Sequence, residues 1–109
     1  MADLDAAVGD ASASSNVKNH WADVYVVQCL LKKAARKTGN GDYDPYTCDG
    51  IILPFWSRTV SCIKAFQSRF MSDPDGVISP NRTTIKKLSE FEDKPVTPAG
   101  PDPSGPPMP

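Results

Sequence analysis

The sequence predicts a small all-α domain: three helices and two Asp-Gly turns, flanked by flexible ends. Three observations carry this reading. Apolar residues recur at helical spacing in three separate stretches. Asp-Gly pairs stand at Asp49-Gly50 and Asp75-Gly76, each followed by two apolar residues. Nearly all aliphatic and aromatic residues fall between Asn19 and about Asp93.

The first helix is expected from about His20 to Lys37, with Asn19 as its N-cap. Val24, Val27, Leu31 and Ala34 form its apolar stripe, and Gln28 borders it. Gly39 and Gly41 stop it. The second helix is expected from about Ser57 to Met71, capped by Ser57. Thr59, Cys62, Ile63, Phe66 and Phe70 share its inner face. The third is expected from Pro80 to about Phe91, because Ser79-Pro80 reads as an N-cap and a first-turn proline. Ile85 and Leu88 face inward.

Two loops share one chemistry: Asp49-Gly50-Ile51-Ile52 and Asp75-Gly76-Val77-Ile78. Gly accepts positive φ, and the Asp side chain bonds backbone close by, so Asp-Gly makes a tight turn. Each loop leads to a helix with Thr at its start, which gives a weak internal repeat: DGII with Ser57-Arg58-Thr59, and DGVI with Asn81-Arg82-Thr83. Gln28 and Gln67 each follow an apolar residue at the core border. Each is expected to bond loop backbone and hold an Asp-Gly turn.

The ends differ from this middle zone. Residues 1–17 are mostly Ala, Ser, Gly and Asp and are expected to be a disordered leader. Residues 94–109, with PVTP, PAGP and PSGP in succession, read as an extended linker or as a Pro-rich docking peptide. The domain proper is thus expected over 18–93.

At 109 residues and a net charge of −1, the chain suits one small binding module. The basic cluster Lys32, Lys33, Arg36 and Lys37 complements a helix C-terminus rather than making a nucleic-acid face. The N-terminus shows neither the basic start nor the apolar stretch of a signal peptide, and no run is long enough for a membrane span. The expectation is synthesis in the cytoplasm and, if the protein acts outside, export by a specialised system. Cys29, Cys48 and Cys62 form no CxxC pair, so neither a disulfide framework nor a zinc site is expected. Cys62 belongs in the core, Cys29 lies on the opposite side of its helix from the Val24 stripe, a position open to solvent, and Cys48 sits in a loop. His20 is the only histidine, which leaves no Ser-His-Asp set. No catalytic residue, metal or cofactor is expected.

The ordered motifs resemble the peptidoglycan-binding domain family, a three-helix module found beside cell-wall hydrolases. They are Asp23-Val24, Val27-Gln28, Leu30-Leu31, Asp49-Gly50, Thr59, Cys62-Ile63, Phe66-Gln67, Asp75-Gly76-Val77-Ile78, Pro80, Thr83 and Leu88. NHWADVYVVQCLL is also similar to modules at the start of phage tail proteins and of effectors of contractile secretion systems. The resemblance implies non-catalytic binding of peptidoglycan or a muropeptide by a monomer. A fused or associated wall hydrolase or effector would be held at the wall. A protein-interaction adaptor on the same fold is the alternative: a concave cluster of Tyr46, Trp56 and Arg58 favours glycan, and a flat apolar patch including Tyr25 and Val26 favours a protein.

The chain departs from the family pattern in its loops. Extra residues, including Leu53, Pro54, Phe55 and Trp56, separate Asp49 from Thr59. The usual glycine of that loop is missing, and Ser79 stands where the second loop usually has one. The stretch from Thr38 to Thr47 is long and carries Tyr43 and Tyr46. Aromatic faces stack on sugar C–H faces, and Arg pairs with peptide carboxylates. Tyr43, Tyr46, Asp49, Trp56 and Arg58 are therefore the candidate ligand residues. The competing reading makes the aromatics a lid on the core, and favours core for Phe55. Asp49, Gly50, Asp75 and Gly76 are the turn residues.

Overall fold

The computed structural model describes residues 4–53 and 57–91. The order of elements is β1 (Val8–Gly9), α1 (Trp21–Thr38), a 3-10 turn (Gly41–Tyr43), α2 (Arg58–Gln67), β2 (Val77–Ile78) and α3 (Thr83–Ser89). Three helices are present as expected. The domain is nevertheless not purely α, because β1 and β2 pair antiparallel, with Val8 opposite Ile78 and Gly9 opposite Val77. Among the described residues no helix is long and apolar enough to cross a membrane.

In α1 the stripe of Val24, Val27, Leu31 and Ala34 is fully buried. Gly39 ends the helix in the left-handed conformation and donates its N–H to the Ala35 carbonyl at 2.9 Å. Ser57 caps α2 by accepting the Thr59 N–H at 3.1 Å. Regular α2 stops at Gln67, earlier than expected, and runs on as turns that still pack Phe70 against the core. Phe66 sits among aromatic rings that meet it edge-on: Tyr43, Phe70 and Phe91, with centroids 5.5 to 5.9 Å away.

The start of α3 differs from the expected Pro80. Asn81 takes positive φ (59°), which Asn tolerates better than most residues, and this turn delays the helix to Thr83. Ile85 and Leu88 face the core as expected.

Gln28 and Gln67 are both 1% exposed and hold the two turns by the same set of bonds. The Gln28 Oε1 accepts the Gly50 N–H at 2.8 Å. Its Nε2 donates to Asp49 Oδ1 (3.1 Å), Thr59 Oγ1 (3.0 Å) and the Ile51 carbonyl (3.4 Å). The Gln67 Oε1 accepts the Gly76 N–H at 2.9 Å. Its Nε2 donates to Asp75 Oδ1 (3.0 Å), Thr84 Oγ1 (3.2 Å) and the Val77 carbonyl (3.0 Å). Each Asp Oδ1 also accepts the N–H two residues on, at 3.0 Å. Gly50 and Gly76 have φ of 75° and 72°. The internal repeat is therefore structural, with one correction: the counterpart of Thr59 is Thr84, not Thr83.

The leader departs most from expectation. Residues 4–17 are not a disordered leader but part of the domain, with Leu4, Ala7, Val8 and Val17 buried. The average composition hides these residues, and their partners are distant in sequence. The Asp23 carboxylate in the first turn of α1 accepts the N–H groups of Asp5 (3.1 Å) and Ala6 (3.2 Å). Asn19 is not the N-cap: its amide accepts the Gly9 N–H at 2.8 Å and donates to the Gly9 carbonyl at 3.0 Å. His20 holds the cap position and makes no side-chain cap bond. The tail expected over 94–109 lies outside the described residues.

Gly9 has φ 138°, and a Cβ there would fall 1.9 Å from the Gly76 carbonyl oxygen. Gly9→Ala should therefore lower unfolding free energy by about 3 kcal/mol, by combining backbone strain with overpacking against main chain. Gly41→Ala, where an added Cβ meets no atom within 4 Å, is the control and should change little. Chemical denaturation of both variants checks this, and equal midpoints would contradict the packing.

Candidate functional site

The first Asp-Gly turn carries a group of exposed apolar side chains. Trp21 opens α1 and is 69% exposed. Its main chain and ring lie against Gly50: a Cβ there would sit 2.9 Å from the Trp21 carbonyl oxygen and 3.2 Å from Cε3. Tyr25, one turn along α1 and 45% exposed, meets Trp21 edge-on at 6.4 Å. Ile51 and Leu53 are exposed on the loop that follows Gly50. Trp21 is not among the sequence candidates, and Tyr25 stands there, with Val26, as the mark of a protein partner rather than as a glycan residue. Their i, i+4 spacing off the Val24 stripe is the signal that points to them.

The Tyr46 loop presents a third ring, 67% exposed. Tyr46 has φ 69°, a conformation that costs a bulky residue and that its surroundings must hold. The Asp44 carboxylate accepts the Tyr46 N–H at 2.8 Å, and Lys32 Nζ donates to the Tyr46 carbonyl at 3.2 Å. Arg58 lies 4.2 Å from the ring centroid. Its Nε donates to the Asp44 carbonyl and one terminal nitrogen to the Gly41 carbonyl, both at 2.9 Å.

The sequence candidates therefore separate. Tyr46 is presented to solvent. Tyr43 is a correction: it is 5% exposed, because the 3-10 turn tucks its ring edge-on to Phe66. Arg58 acts mainly as a staple of the 41–46 loop. Asp49 serves its turn. The Ile51 N–H and then the Gln28 amide hold its carboxyl below the usual carboxylate range. Trp56, with Pro54 and Phe55, lies outside the described residues.

An open groove of about 350 Å³ runs between the leader and the start of α2, lined in part by Asp10, Ser12, Asn19, Leu53, Ser61 and Lys64. Asp10 accepts the Ser12 hydroxyl at 2.6 Å and its N–H at 2.9 Å, which holds the carboxyl low, the hydroxyl bond contributing most. Carboxylate, ammonium, hydroxyl and amide groups beside Ile52, Leu53 and Val60 suit a polar ligand with an apolar face. Asn19 and Leu53 each lie two residues from the exposed Trp21 and Ile51. His20 stands 3.7 Å from the Asp23 carboxylate. Among the described residues no group of three or more His, Cys, Asp or Glu side chains could hold a metal ion. The arrangement can stack and hydrogen-bond.

The clamp under this site yields a pH-dependent prediction. In Gln28→Glu the introduced carboxylate cannot donate to Asp49, Thr59 or Ile51 and faces the Asp49 charge. Burial and that charge raise its pKa above the unfolded value, so ionisation opposes folding. The deficit relative to the parent chain should be small near pH 4 and grow towards pH 7, reaching about 3 kcal/mol. Thermal melts across that range check it, and a deficit independent of pH would contradict the clamp.

No family model, curated protein or solved structure matches this chain.

Proposed function

We propose that this protein is a non-catalytic binding module for peptidoglycan or a related cell-wall glycan, holding an attached or partner protein at the wall. In this reading the domain is a three-helix peptidoglycan-binding-like module with a small added sheet. It works as a monomer in the wall or periplasm after specialised export. The observation that carries the proposal is the set of exposed aromatics at its turns. Trp21 and Tyr25 stand at the first Asp-Gly turn, and Tyr46 is held in its loop by Arg58, Asp44 and Lys32. Rigid rings suit the C–H faces of sugars, and the polar groups of the groove beside the turn suit hydroxyls, amides and stem-peptide carboxylates. Modest affinity per site suffices, because tethering raises the local concentration of whatever is attached.

A second reading has support from one observation. Ile51 and Leu53 are exposed near the Trp21–Tyr25 pair, and clustered exposed apolar side chains also suit a protein partner. This is the adaptor reading, in which the fold serves a secretion or phage-like apparatus without binding sugar.

Co-sedimentation with purified wall sacculi separates the two. The parent chain should pellet with sacculi. Trp21→Ala and Tyr46→Ala should each weaken binding by about 2 kcal/mol, roughly thirtyfold, with little loss of stability. Trp56→Ala tests the remaining sequence candidate in the same assay. A parent chain that stays in the supernatant at saturating sacculi would sink the glycan reading and favour the adaptor.

A further inference from the structure

Cys29 and Cys48 occupy one rung between α1 and the loop that leads to the first Asp-Gly turn. Cys29 follows Gln28, and Cys48 precedes Asp49. On one side of the rung the Gln28 amide bonds the Asp49 carboxylate at 3.1 Å. On the other, Lys32 bonds the Tyr46 carbonyl at 3.2 Å and the Asp44 carboxylate at 3.5 Å. The loop thus runs back along α1 as the helix advances, which brings the Cys48 thiol into hydrogen-bond contact with Cys29. Both are half-buried, whereas Cys62 is fully buried in the core. A thiol pair held between two side-chain bridges, and reachable from solvent, is built for more than packing.

We propose that Cys29 and Cys48 are a dithiol pair that an oxidising thiol–disulfide environment closes into an intramolecular disulfide, tying the first Asp-Gly loop to α1. In the exchange the Cys29 thiolate attacks one sulfur of a small disulfide, that S–S bond breaks, and one small thiolate leaves. Cys48 then gives its proton to solvent and attacks the Cys29 sulfur of the mixed disulfide. The Cys29–Cys48 bond forms and the second small thiolate departs. Two protein thiols are oxidised and one small disulfide is reduced to two thiols, which take up the two protons released. Burial, then the hydrogen bond and charge of Cys29, push the Cys48 thiol up to about 11. Among the other groups facing Cys48, Lys32 partly offsets this and Asp44 adds to it. The Tyr25 hydroxyl bonds Cys29 from the adjacent turn of α1. Closure removes conformational freedom from the unfolded chain between residues 29 and 48, so the link stabilises the fold. It also fixes the loop segment between Tyr46 and the turn against which Trp21 lies. The inference does not depend on what those rings bind.

The test incubates the native full chain in glutathione buffers of rising oxidised fraction, quenches with an alkylating agent and maps masses. The expected product is lighter than the reduced chain by two hydrogens, carries a Cys29–Cys48 peptide link, and leaves Cys62 as a thiol. Its thermal midpoint should rise, and reductant should reverse the rise. Cys62→Ser should form the same link, whereas Cys48→Ser should stop at a glutathione adduct on Cys29. Native parent chain that keeps glutathione adducts or free thiols at Cys29 and Cys48 in oxidised buffer, or that links through Cys62 or between chains, would overturn the proposal.

Discussion

Each helix-to-helix passage in this domain depends on one buried amide. A glutamine at the border of an apolar stripe meets a turn whose backbone N–H and carbonyl both point inward. Those groups are cut off from water and need partners. A side-chain amide suits the position because it accepts through one atom and donates through the other. Gln28 and Gln67 each satisfy the glycine N–H, the Asp carboxylate, a loop carbonyl and a Thr hydroxyl on the next helix. Helix, turn and next helix are thereby fixed at one point. The described residues accordingly contain no buried side-chain nitrogen or oxygen without a partner.

The second turn has a further duty. Its glycine carbonyl accepts the Asp10 N–H at 3.0 Å, next to the pairing of Val8 and Gly9 with β2. The leader can reach that edge only because Gly9 has no side chain and the Asn19 amide holds both its main-chain groups. Asp23 completes the attachment, placing a carboxylate near the positive end of α1 where it accepts two leader N–H groups. An Ala- and Ser-rich stretch thus becomes part of the core by non-local bonds.

The same economy governs the exposed rings. Gly50 leaves room for Trp21, so the first turn and the first residue of α1 form one surface. Arg58 gives its hydrogen bonds to the carbonyls of Gly41 and Asp44 and its flat face to Tyr46. An arginine used in this way orients an aromatic side chain rather than meeting a ligand carboxylate directly. The loop that follows α1 thus contributes both to the core, through Tyr43, and to the surface, through Tyr46.

The sequence by itself determined the three helices, the stripe of α1, the inner face of α2 and the two Asp-Gly turns. These follow from local rules: apolar period, Ser and Gly at helix ends, and a turn that needs positive φ at glycine. The role of Gln28 and Gln67 was legible because a polar residue beside a buried stripe must bond something close. Tertiary structure alone decided the rest. Whether a Tyr in a long loop is ligand or core depends on how that loop folds back, which put Tyr43 inside and Tyr46 outside. Whether Asn19 caps a helix or clamps a distant glycine depends on a leader whose partners lie about seventy residues away in β2. The pairing of Cys29 with Cys48 arose in the same way, because no spacing rule marks two thiols that meet only when a loop runs back along a helix.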